Sequence, residues 1–76
     1  MAGEKILFDY GKLRGKIVEK YGTIQEFSRA MGRDPGVISH KLNGLNYFTQ
    51  KEIVQAEKLL GLKPDTVYAC FFTQKV

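Results

Sequence analysis

The stretch GRDPGVISHKLNG, Gly32 to Gly44, holds the side chains of this chain best placed to do chemistry. On a helix opening at Pro35, the residues Gly36, Ser39, His40 and Asn43 recur at i, i+3, i+4 and i+7 and share one face. Ile38 and Leu42 share the opposite face. A small, hydrogen-bonding face of this kind suits a helix lying in the major groove of DNA, with Gly36, Ser39 and His40 at base edges and Val37 against a thymine methyl. An ordinary solvated helix face carries the same residue types, so both readings stand. Around it lie candidates for phosphate contact: Arg33 in the preceding turn, Pro35 at the positive end of the helix dipole, and Asn43, Asn46 and Tyr47 at and after the helix end. Lys41 falls at the edge of the buried side, where its stem snorkels over the core and its ammonium could still meet a phosphate.

Other chemistries find less support. His40 is the one histidine and Cys70 the one cysteine, far apart, so a metal site and an internal disulfide are not expected. Cys70, in an apolar stretch, reads as buried and inert. There is no pair of carboxylates placed for acid–base work, no Cys–His pair and no phosphate-cradling glycine loop, so neither an enzyme nor a cofactor is expected.

The helix pair that would position these residues is signposted locally. Thr23 and Glu26 spell a capping box before a helix from Ile24 to Met31, which Gly32 ends. Asp34 then caps a helix from Pro35 to about Leu42, with Gly44 closing it. Phe27 and Ile38 can meet inside the elbow, and the small Ser28 lets the two helices approach. Before this pair, Asp9 caps a helix from Tyr10 to about Tyr21 that buries Leu13, Ile17 and Tyr21 and turns Lys12, Arg14, Lys16 and Lys20 outward. After it, Thr49 and Glu52 repeat the capping box before a helix ending at Leu60. Pro64 and Asp65 open a fifth, carrying Val67, Tyr68, Phe71 and Phe72. No segment alternates as a strand would, so the expectation is an all-α fold of five short helices, one helix-turn-helix domain over residues 1–76, with a flexible arm at 1–8 and a tail at 73–76.

Composition is consistent with this. Twelve Lys and Arg against eight acids leave a net charge of +4, which suits a polyanionic partner. A hydrophobic content of 43% with nine Phe and Tyr is enough for a packed core in 76 residues, though a thin one. No apolar run approaches a membrane span, no signal-peptide pattern is evident, and the single cysteine fits a reducing cytosol, so a cytoplasmic location is expected.

From FDYGKLRGKIVEKYGTIQEFSRAMG through SHKLNGLNYFTQKEIVQAEKLLGL to YACFFTQKV, the chain resembles the small Cro-like regulators of phages and prophages of Gram-positive bacteria, within the Cro and lambda-repressor helix-turn-helix superfamily. The resemblance implies a lambda-repressor-like domain that binds a double-stranded DNA operator, commonly as a homodimer on a pseudo-palindrome, to repress or switch transcription. It implies phosphate contacts on Thr23 and Ile24, with Gln25 beside them, and on Asn43 and its neighbours. It implies base contacts on Pro35, Gly36, Ser39 and His40. The chain departs from the pattern at Ile24, where many relatives carry Gln, and at Pro35 and Gly36, where many carry long polar residues. That departure weakens direct readout and favours an alternative, a modulator or antirepressor that docks on another repressor protein. Tyr68, Phe71 and Phe72 either close the core or form a two-fold dimer patch.

Overall fold

The computed structural model describes residues 6–75 and consists of five α-helices: α1 Gly11–Tyr21, α2 Ile24–Met31, α3 Pro35–Leu42, α4 Gln50–Leu60 and α5 Pro64–Phe71. Helices this short are marginal alone in water, so packing has to hold them. The core is a single cluster that includes Leu13 and Ile17 of α1, Phe27 and Met31 of α2, Ile38 and Leu42 of α3, Ala56 and Leu60 of α4, and Cys70 and Phe71 of α5. Each large apolar side chain buried there contributes about 1.5–3 kcal/mol. Helix α1 packs on α2, α4 and α5, and α3 packs on α2 at the edge of the bundle.

The caps follow the local signals, with two differences. Thr23 Oγ1 accepts from the Glu26 N–H at 3.1 Å, but the Glu26 carboxylate stands 3.9 Å from Arg29, one turn on, so only half of the first box forms. The second box is complete: Thr49 Oγ1 accepts from the Glu52 N–H and Glu52 Oε1 from the Thr49 N–H. At α1, the carboxylate of Asp9 accepts from the Gly11 N–H at 2.8 Å. The helix starts one residue later than expected because Tyr10, almost wholly buried, occupies the cap position.

Where an arm and a tail were expected to be loose, the described parts of both are joined. Asp9 N–H donates to the Thr73 carbonyl at 2.7 Å and Lys75 N–H to the Leu7 carbonyl at 2.8 Å, around an antiparallel bridge between Phe8 and Gln74. The reason is aromatic. The Phe8 ring lies against those of Tyr10, Tyr47 and Phe72, with centroids 5.8–6.3 Å apart, so burying Phe8 pulls the arm onto the C-terminal residues. Met1–Lys5 of the expected arm and Val76 of the tail lie outside the described residues.

Candidate recognition face

Helices α2 and α3 are joined by the three residues Gly32–Asp34. Gly32 adopts φ +70°, the left-handed conformation that reverses the chain, and its N–H closes onto α2. Asp34 Oδ1 then accepts from the Gly36 N–H at 2.7 Å, fixing the start of α3. A Cβ at position 36 would stand 3.0 Å from that same oxygen. The glycine thus has an internal reason: it leaves room for the capping carboxylate.

On α3, Ile38, Lys41 and Leu42 are buried. Gly36, His40 and Asn43 point outward, Val37 is exposed beside them, and Ser39 is half-buried on the flank. The first turn of the outward face, Pro35–Val37, therefore offers no side-chain donor or acceptor. Asn43 is not idle: its amide oxygen accepts from the Arg14 guanidinium of α1, which orients both at the end of α3. Thr23 and Gln25 are exposed at the start of α2, and Gln25, Arg29, Arg33 and Pro35 line a shallow depression of about 300 Å³. Asn46 is exposed in the following loop, and the Tyr47 hydroxyl donates to the Ile6 carbonyl.

Two of the expected roles need correction. Lys41 does not reach toward a phosphate. Its ammonium is turned inward, 2.6 Å from Glu52 Oε1 and 6.0 Å from the Phe48 ring centroid. Phe71 is 2% exposed and packs on Phe48, so it belongs to the core and cannot be part of a dimer patch. Tyr68 and Phe72 remain exposed and lie against each other with centroids 5.8 Å apart.

Glu52 is the residue whose role the sequence reading missed beyond its cap. Fully buried at the third position of α4, it gathers three elements: Lys41 from α3, the Thr49 N–H from its own helix, and Arg33 from the turn, whose Nη2 stands 3.0 Å from Oε2. The Arg33 contact is an ion pair without an aligned N–H, since Oε2 receives no hydrogen bond. Burial alone would push this carboxyl up. The Lys41 hydrogen bond, the Thr49 N–H and the two positive charges outweigh it and hold the group below its ordinary value. The carboxylate thereby fixes how α3 stands relative to α4. The signal available beforehand was an acid at a buried helical position, which demands a partner.

The fold and this face define a small all-helical, phage-regulator-like domain. The chain belongs to the family described as "Protein of unknown function (DUF739)", which it matches over residues 6–74. Among solved structures it is similar to the modulator of repression (MOR) of the temperate bacteriophage TP901-1 from Lactococcus lactis, with 38% identity, 86% of this chain and 88% of that chain covered, and a TM-score of 0.69. No curated protein sequence matches it. These matches support the phage-regulator part of the expectation. The finer Cro-type assignment is not what they give.

Proposed function

We propose that this chain is a modulator of repression, acting by binding a phage repressor protein rather than by reading an operator itself. The observation that carries this reading is the 38% identity, over nearly the full length of both chains, to a protein that bears that role in its description. The recognition face fits it. The first turn of α3 presents Pro35, Gly36 and the exposed Val37, a small apolar step suited to a protein surface. The cation best placed on α3, Lys41, is sealed inside by Glu52. On this reading the chain works by association alone, with no catalysis or cofactor, inside the host cell.

A second reading, a DNA-binding repressor acting as a homodimer, is favoured by the outward His40 and by Arg29 and Arg33 beside α3. Its dimer contact would use Tyr68 and Phe72. One experiment separates the two. The purified chain is titrated into a temperate-phage repressor bound to labelled operator, and in parallel selected against a random duplex pool at near-physiological salt. The modulator reading expects the repressor–operator equilibrium to change while the chain alone retains no motif. Recovery of a two-fold motif by the chain alone would overturn it. Weak retention that vanishes as salt rises would be charge alone.

A further inference from the structure

A cluster of positive charge with no role so far lies away from α2 and α3. Lys12, Lys16 and Lys20 recur at i, i+4 and i+8 along the flank of α1 that meets α5. Arg14, on the other flank, reaches Asn43. Lys16, Lys20 and Lys63 rim a cleft of about 520 Å³ closed by the end of α4 and the start of α5, with the half-buried Leu62 in its wall. No residue of α2 or α3 lines it. Lys12 instead lines a separate depression, with Asp9, Gly11, Ala69 and Thr73. The charges of Lys12 and Lys16 reach the α5 interior: burial pushes the Cys70 thiol up, and these two ammonium groups partly oppose that.

The cleft is not neutralised by its own acids. Glu19 stands 3.9 Å from Lys16 with a side chain 75% exposed, a loose pair that contributes little. Asp65, close by in the chain, does not line the cleft and accepts from the Thr66 N–H. Three cations around a leucine-bearing wall complement an anionic chain that also carries an apolar side chain. A phosphate backbone offers no such anchor, whereas an acidic peptide with leucines does.

We propose that this α1–α5 cleft is a second docking surface, which takes an acidic, leucine-bearing segment of a partner protein. It goes beyond the function proposed for α3 and does not depend on what meets that helix.

The test uses the isotope-labelled full chain and a short synthetic peptide of glutamates carrying two leucines. Amide shifts should map to Lys16, Lys20, Leu62 and Lys63. The double reversal Lys16→Glu with Lys63→Glu should weaken binding about tenfold or more. The same charge change on α4, Lys51→Glu with Lys58→Glu, should weaken it less than about threefold, because exposed charges at a distance are screened. Lys51, Lys58 and Lys63 are exposed and Lys16 is half-buried, so circular dichroism checks that each variant is folded. The proposal is overturned by no binding, by shifts confined to α2 and α3, or by equal effects of the two reversals. It is also overturned if a glutamate peptide without leucines binds as well, or if random duplex DNA occupies the same amides and displaces the peptide.

Discussion

Lys41 and Glu52 meet at 2.6 Å in the interior, the lysine side chain 11% and the glutamate side chain 1% exposed. The lysine expected at the edge of the buried side, its ammonium able to meet a phosphate, instead holds the angle of α3 to α4. Buried pairs of this kind add little net stability over apolar packing, but breaking one strands a charge in the core.

Glu52→Gln should therefore lower the unfolding free energy by about 3 kcal/mol, a large part of what so small a domain possesses. Urea unfolding measures this. Lys41→Met combined with Glu52→Leu should recover most of the loss, less about 1 kcal/mol for the lost cap at Thr49. A double variant as unstable as Glu52→Gln would show that the pair itself, not the stranded charge, carries the energy.

The pH dependence follows from the same carboxyl. Its folded value lies below the ordinary 4.5, so the unfolded chain takes up this proton first. The contribution is complete above pH 4.5 and is lost as pH falls through the lower folded value. Melting temperature should fall on acidification below about pH 4.5, and Glu52→Gln should fall less steeply over the same window. Parallel curves would place the acid sensitivity elsewhere.

These residues also mark how far the sequence could be read. Helix limits were legible because caps are local: Thr23, Asp34 and Thr49 bond N–H groups two or three residues away, and Gly32 and Gly61 take left-handed φ at the ends of α2 and α4. The outward face of α3 was legible by the same periodicity. Partners distant in the chain were not. Lys41 is eleven residues from Glu52, and Phe8 pairs with Gln74 at the other end of the chain. Periodicity placed Lys41 at the edge of the buried side, but only tertiary packing decides whether such a residue points to solvent or to a buried acid.

Two glycines inside helices should respond differently to alanine. Gly15, in the middle of α1, has open space for 4 Å around where a Cβ would stand, so Gly15→Ala should stabilise by close to the full helix-propensity gain of about 1 kcal/mol. At Gly36 the new methyl meets Asp34 Oδ1 at 3.0 Å. Gly36→Ala should gain little or lose slightly as the cap is pushed aside. Thermal unfolding of the two variants side by side checks this, and equal gains would remove the capping explanation for Gly36.

Phe8 should behave as part of the fold rather than of a loose arm. Its ring touches three aromatic neighbours and is half-buried. Phe8→Ala should cost about 2 kcal/mol, below the range for a fully buried Phe. It should also speed amide exchange at Asp9 and Lys75, whose N–H groups close the contact between the two ends. Unchanged exchange would mean the backbone bonds hold without the ring.

Val37 and His40 stand one turn apart on the exposed side of α3 and separate the two functional readings. If α3 meets a repressor, the apolar Val37, 41% exposed when alone, becomes buried at the contact. Val37→Glu then forces a carboxylate into that contact and should weaken repressor binding tenfold or more, about 1.4 kcal/mol. His40→Ala removes a polar group that a protein surface can leave in water and should cost much less. If α3 instead enters a major groove, His40→Ala should relax one base position in each half-site. Val37→Glu would then act mainly through charge repulsion, weakening every duplex alike and more strongly at low salt. Both variants keep the buried face of α3 intact, so circular dichroism should match the parent chain. The pattern of the two losses, rather than the size of either, identifies what α3 touches.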